Sequence, residues 1–266
     1  MKTYLALGIA ALVTLPVLAD ETLYPAGYYA EAEGLSGQAL KKVLGEIAAR
    51  GHKRLTYKQV WAALKDTNED PANPDNIILY YSGRSQAKSF NASTTNDRDA
   101  WNREHVWPKS FGFKRKNQWG YTDIHAIQPT DAQINSLRSN KDFDNGGTPL
   151  SKSPQNKTDR DSFEPRDAVK GDTARAIFYM AIRYEGNDGN MPDLYLVNDT
   201  SSKSGKTKIG KLCSLLAWHA ADPVDDWERQ RHEKAVKWQG NRNPFIDNPE
   251  WGGDVFNNEC KPSHQS

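Results

Sequence analysis

The sequence predicts a single α+β domain: a small antiparallel sheet crossed by a helix over residues 130–138, within a shell of further helices. Three features lead to that expectation. Two short strand-like segments, Asn102–Val106 and Asp123–Ile127, lie just ahead of the crossing helix. Helical periodicity governs residues 36–49 and most of the chain after 168. No internal repeat or low-complexity linker divides the 266 residues, a length that one core can serve.

Taken in order, the chain opens on Met1-Lys2 and an apolar run from Tyr4 to Val17, broken by Gly8, Thr14 and Pro16. Val17-Leu18-Ala19 follows as a small-residue cleavage signature, so residues 1–19 read as a secretory signal peptide and residues 20–266 as the mature domain. The apolar run is short for a membrane span and no second one follows. The mature form is therefore expected to be free of the membrane, secreted or periplasmic, and monomeric.

Leu40, Val43, Leu44 and Ile47 recur at helical spacing behind Ser36, a residue suited to capping. Thr56 opens a second, shorter helix through Val60, Trp61 and Leu64, stopped by Asn68-Glu69-Asp70-Pro71. Residues 77–81, all apolar or aromatic, predict a strand, and 84–99 a polar loop. Thr130 is expected to cap the crossing helix, with Ala132, Ile134 and Leu137 facing inward. Residues 139–166 are rich in Asn, Asp, Ser, Lys and Pro and read as ordered loop. The strongest helix spans 168–185, and two more are expected over 208–219 and 223–238, the latter with Asp222 as cap and Pro223 in its first turn.

Charge narrows the function. The 35 basic and 34 acidic residues nearly cancel, and loss of Lys2 with the leader brings the mature chain to zero. Bulk attraction for a polyanion is therefore excluded, and any nucleic-acid contact has to rest on a local patch. One exists: Arg103, Lys109, Lys114, Arg115 and Lys116 stand against the single acid Glu104. Cys213 and Cys260 are the only cysteines, which rules out a cysteine-built metal site. They form one disulfide or remain two thiols, and the bridge is the expectation in an exported chain.

The patch overlaps the residues with the most chemistry. Phosphodiester hydrolysis needs a base for water, neutralisation of the phosphate and support for the departing oxygen. His105 suits the base, because imidazole titrates near neutrality. Glu104 and Asn135 offer the oxygen ligands that Mg²⁺ prefers, with Ca²⁺ or Mn²⁺ as alternatives. Neighbours on a strand point to opposite faces, so Glu104 and His105 are expected to need a bend or bulge to act together. Arg138, one turn after Asn135, is expected to reach the phosphate as a fork. Asp123 and His125, alternating with Ile124, are placed on one strand face to orient the base or brace the metal ligands.

Asn102-Arg103-Glu104-His105-Val106-Trp107-Pro108, with Asp123-Ile124-His125 and Asn135-x-x-Arg138-Ser139-Asn140, resembles the endonuclease I family of secreted bacterial nucleases. That family belongs to the ββα-metal, or His-Me finger, class. The similarity continues through Lys170-Gly171-Asp172-Thr173-Ala174-Arg175, Tyr179-Met180, Arg183-Tyr184, Trp218-His219 and residues 239–247, covering roughly 35–251. It implies that His105 is the general base and that Glu104 and Asn135 hold one divalent metal on a finger of two strands and a helix. It further implies cleavage of DNA and often RNA, with little sequence preference and 5′-phosphate products. Arg103, Arg115 and Asn140 are then the expected substrate contacts. The segment between His105 and Asp123 is shorter here than in some relatives, and Arg115 stands in it without a motif match. A protein that binds nucleic acid without cutting it, or a hydrolase of another ester, would need only part of this set.

Overall fold

The computed structural model describes residues 24–186, 191–200 and 207–260. The signal peptide expected over 1–19 lies outside them. Helix α1 (Gly37–Ala49) buries Leu40, Leu44, Ile47 and Ala48 as its spacing predicts, with Ser36 at the cap position. Helix α2 (Gln59–Thr67) begins in a reciprocal box. Thr56 Oγ1 accepts from the Gln59 N–H at 3.2 Å, and Gln59 Oε1 accepts from the Thr56 N–H at 2.8 Å.

Strands β1 (Glu69–Asp70), β2 (Asn73–Ile78) and β3 (Ser85–Ala87) form an antiparallel sheet. The strand expected over 77–81 thus contributes only Ile77 and Ile78 to the ladder. Leu79, Tyr80 and Tyr81 run on into the interior, where the Tyr80 N–H donates to the Pro129 carbonyl at 2.8 Å.

Strands β4 (Trp101–His105) and β5 (Ile127–Asp131) pair antiparallel, and helix α3 (Ala132–Arg138) follows β5 directly. This is the two-strand-and-helix unit, shifted from its expected place. The segment Asp123–Ala126 is a turn, because the Asp123 carboxylate accepts the His125 N–H at 3.1 Å and competes with a ladder. Thr130 is consequently a buried strand residue opposite Asn102, and Asp131 takes the cap position. Ser139 ends α3 at φ 55°, a left-handed conformation uncommon outside glycine.

Residues expected as loop after α3 hold a four-stranded sheet. Strands β6 (Asp142–Phe143), β7 (Thr148–Leu150), β8 (Ser153–Thr158) and β9 (Ser162–Glu164) lie in the order β6-β9-β8-β7. Its strands are short and carry polar side chains held by hydrogen bonds, so no hydrophobic alternation announces them. The buried Asn156, for example, donates to the Tyr81 carbonyl at 2.8 Å and accepts the Arg166 N–H at 2.9 Å.

Helix α4 (Lys170–Arg183) is buried along nearly its whole length and forms the centre of the main core, as expected of a helix covered on all sides. Gly45 of α1 sits where an added Cβ would meet the Ile182 carbonyl at 2.5 Å, so α1 and α4 approach backbone to backbone. Strands β10 (Tyr195–Leu196) and β11 (Lys208–Ile209) pair in parallel before helix α5 (Leu212–Ala221). Helix α6 (Asp226–Gln239) is capped by Asp225, which accepts the Glu228 N–H at 2.8 Å. Asp222, the expected cap, instead accepts the Gly171 N–H at 2.8 Å and so caps the first turn of α4. Helices α7 (Pro244–Asp247) and α8 (Trp251–Phe256) close the chain, and Cys213 is bridged to Cys260 across a separation of 47. A second cluster, built on Val60, Leu64, Ile77, Trp101 and Ile127, lies beneath the finger between α2 and α6. The fold is α+β as predicted, and among the described residues no helix is long and apolar enough to cross a membrane.

Candidate active site

Strand β4 and helix α3 line one cleft of about 590 Å³. Asn102, Arg103, Glu104 and His105 come from the strand, Asn135 and Arg138 from the helix, and Asn140 from the turn after it. The five pairs between β4 and β5 run without a register shift, so no bulge was needed to bring Glu104 and His105 to one cleft. His105 is the last residue of its strand, and the chain turns away through Trp107-Pro108.

His105 is 7% exposed, and its Nε2 lies 3.1 Å from the Tyr121 carbonyl oxygen. A carbonyl only accepts, so Nε2 carries the hydrogen and the neutral ring keeps its lone pair on Nδ1. Burial drives its pKa down to about 3, against the Tyr121 carbonyl, which favours the charged ring. The imidazole is thus held neutral, in one tautomer, beside the rings of Tyr57 and Tyr121.

Glu104 is almost fully buried, and burial pushes its pKa up to about 7 despite the Arg138 charge and a hydrogen bond from Tyr81. Both contacts fall on Oε1: the Tyr81 hydroxyl donates at 2.9 Å and Arg138 Nε approaches to 3.4 Å. Oε2 accepts no hydrogen bond from the described residues. Asn135 donates Nδ2 to Asn102 Oδ1 at 2.6 Å and to the Arg103 carbonyl at 3.2 Å. With its nitrogen so engaged, the amide turns Oδ1 away from the strand as an acceptor. One carboxylate oxygen and one amide oxygen on a shared cleft fit a hard divalent cation that retains most of its water. His232, Glu233 and Asp247 also bring ligand atoms within 4.8 Å of one another. None of them lines the cleft, and Arg242 already pairs with both Glu233 and Asp247.

Arg138 does not take the expected position. It is 1% exposed, donating to the Val106 carbonyl at 2.7 Å, the Ser139 carbonyl at 3.2 Å and the His105 carbonyl at 3.3 Å, with its guanidinium over the Phe143 ring. A fork committed to three carbonyls is a brace for the end of β4 and a counter-charge for Glu104. Asp123 and His125 likewise leave the cleft to others. Asp123 accepts from the Tyr179 and Tyr184 hydroxyls at 2.8 Å each and from Gln239 Nε2 at 2.7 Å, and His125 Nε2 lies 2.9 Å from the Asn241 carbonyl. They anchor the turn that follows Tyr121, whose carbonyl lies against His105. Arg115 is exposed and lies outside the cleft lining. Arg103 lies across the rings of Tyr57 and Trp61, and Asn140 is exposed at the cleft edge.

The sequence reading missed Tyr57, Tyr81 and Tyr121, which no motif marks. Lys109 was marked only as one charge of the patch, and it too lines the cleft.

The endonuclease I family profile matches residues 36–250. The chain belongs to the endonuclease I family. It is therefore a nuclease, a hydrolase acting on nucleic acid. An extracellular ribonuclease of Bacillus amyloliquefaciens is 53% identical over 230 residues, covering 86% of this chain and 78% of the relative. An extracellular ribonuclease of Bacillus subtilis (strain 168) is 49% identical over 250 residues, covering 94% and 85%. An extracellular deoxyribonuclease of Aeromonas hydrophila is 30% identical over 198 residues, covering 66% and 74%.

Proposed function

We propose that the chain is an exported, metal-dependent endonuclease that hydrolyses DNA and RNA with little sequence preference and leaves 5′-phosphates. Residues 1–19 act as its signal peptide and 20–266 as one nuclease domain. The extracellular names of its relatives support export, and their division between ribonuclease and deoxyribonuclease supports tolerance of both sugars. It acts as a monomer: among the described residues only Leu137 and Tyr195 are large exposed apolar side chains, too few for a stable interface.

The observation that carries the reading is the polarised His105, with Nε2–H spent on Tyr121 and Nδ1 open as a base, beside Glu104 and Asn135. His105 takes the proton from water at Nδ1 as that water attacks phosphorus, and the Tyr121 carbonyl steadies the imidazolium that forms. The bond to the 3′ oxygen breaks on the opposite side, that oxygen takes a proton from water and leaves as a 3′-hydroxyl, and the phosphate stays on the 5′ oxygen of the downstream fragment. Glu104 and Asn135 hold a divalent cation, Mg²⁺ first and Ca²⁺ or Mn²⁺ as alternatives. When bound, that ion supplies neutralisation of the phosphate and of the departing oxygen. Arg138 keeps Glu104 in place, while Arg103, Lys109, Arg115 and Asn140 hold the polynucleotide.

Plasmid DNA and an RNA transcript incubated with and without EDTA test this directly. Both are expected to be cut only without chelator. His105→Ala should lose ~10²–10⁴-fold in rate and keep its metal affinity, whereas Glu104→Ala should recover in part at high Mg²⁺. Cleavage that survives EDTA ends the metal-dependent reading. Rescue of His105→Ala but not Glu104→Ala by added metal would reverse the two roles.

A further inference from the structure

A second hollow, of about 680 Å³, opens beside the cleft. Tyr57, Trp61 and Arg103 line both, so the two spaces share a wall. Tyr57, two residues ahead of α2, and Trp61 in its first turn are brought to one side, where Arg103 meets both. Arg103 lies over both rings, its Cζ 3.4 Å from the Tyr57 centroid and 4.2 Å from that of Trp61. Its Nη1 donates to the Tyr57 carbonyl at 2.6 Å, which fixes the guanidinium plane. Behind them, Trp61 meets the buried Trp101 at 5.0 Å and Tyr57 meets Tyr121 at 4.9 Å, both edge to face. The rings are therefore rigid, yet each stays only partly buried.

A purely structural cation–π clamp would be satisfied with its outer side in plain solvent. Here that side is a hollow rimmed by Lys58, Lys65 and Lys116, and among the described residues no acidic side chain lines it. Flat π surfaces framed by cations match a nucleobase attached to a phosphate backbone. Tyr57 also stands 6.0 Å from the His105 ring, one step from the proposed site of cleavage. A duplex keeps the faces of its bases covered by their neighbours and presents only phosphates and edges. A splayed base can enter this hollow; a stacked one cannot.

We infer that the hollow framed by Tyr57, Trp61 and Arg103 is a base-stacking subsite that takes an unpaired base of a single-stranded polynucleotide next to the bond to be cut. It rests on the nuclease reading of the cleft and adds the substrate class: single strands and unpaired segments bind better than duplex.

Binding in EDTA, where metal-dependent cutting is absent, provides the test. A fluorescein-labelled oligothymidylate and a labelled blunt duplex of the same length are titrated with the protein, and anisotropy is followed. Trp61→Leu keeps an apolar body against Trp101 but removes the plane, and Tyr57→Leu repeats the loss at the second ring. Each is expected to weaken single-strand binding roughly tenfold, from the strength of one base–aromatic stack, and to leave duplex binding unchanged. Trp61→Phe, which keeps a plane, should bind single strands as the native protein does. The inference is overturned if folded Leu variants bind the single strand as tightly as the native protein, or lose single strand and duplex alike. Neither result touches the assignment of His105 and Glu104, which plasmid cleavage by their alanine variants judges separately.

Discussion

Replacing Tyr81 by phenylalanine removes one hydroxyl, the donor to Glu104 Oε1 at 2.9 Å in a buried site. A hydrogen bond to a charged acceptor contributes about 1.5–3 kcal/mol. Since 1.36 kcal/mol corresponds to one pKa unit, the Glu104 pKa should rise by ~1–2 units from its present value of about 7. Glu104 has to be ionised to hold a cation, so the raised pKa weakens metal binding. At pH 7 the ionised fraction falls from about a half to between ~1/10 and ~1/100, and Mg²⁺ affinity should fall roughly five- to fiftyfold with it. Near pH 9 to 10 the deficit should largely vanish, because Glu104 is then ionised in both proteins. Cleavage rate against Mg²⁺ concentration at pH 7 and at pH 9.5, for native protein and Tyr81→Phe, measures the effect. An Mg²⁺ requirement that does not change, or that changes equally at both pH values, would refute the proton–metal competition at Glu104.

The same competition should set the native pH profile. His105, held down to about 3 by burial, stays unprotonated as pH falls, so the acid limb should follow Glu104 and its midpoint should move to lower pH as Mg²⁺ is raised. A midpoint indifferent to Mg²⁺ would return control to the imidazole. Arg138→Leu leaves the Glu104 carboxylate without its buried counter-charge and should cost ~3–5 kcal/mol in urea unfolding. Arg138→Lys should not restore it, because one ammonium cannot serve Glu104 and three carbonyls together; a loss well under 1 kcal/mol would contradict the bracing role. The Cys213–Cys260 bridge closes a separation of 47, so Cys213→Ser should lower stability by ~4 kcal/mol in the chain-entropy model. Denatured, unreduced native protein should titrate no thiol.

The helices were legible where apolar spacing alone shaped them. Leu40, Leu44 and Ile47 predict the inner face of α1, and the fully apolar face of the 168–185 segment announces the central helix. Elements whose stability comes from polar bonding escaped. The four strands after α3 are held by buried groups such as Asn156 and carry no hydrophobic alternation to betray them. Asp123–Ile127 looked like a strand because Ile124 and Ile127 alternate around polar residues. The Asp123 carboxylate, capturing the His125 N–H, made it a turn and moved the ladder four residues on.

The site divides in the same way. Sequence alone determined the residue types and their order: a histidine after a glutamate, an amide and an arginine one helical turn apart, and a local excess of cations in an otherwise neutral chain. Those choices reflect chemistry, which depends on functional groups and is written directly in the residues. Direction and ionisation were decided by tertiary structure. Arg138 was read as a phosphate fork, yet packing on Phe143 and the carbonyls at the end of β4 turned it inward as the partner of Glu104. The tautomer of His105 depends on the Tyr121 carbonyl, sixteen residues away, and the ionisation of Glu104 on Tyr81, twenty-three residues away. A pKa or a tautomer measures the free energy of a group in its surroundings, and those surroundings exist only once distant segments have packed together.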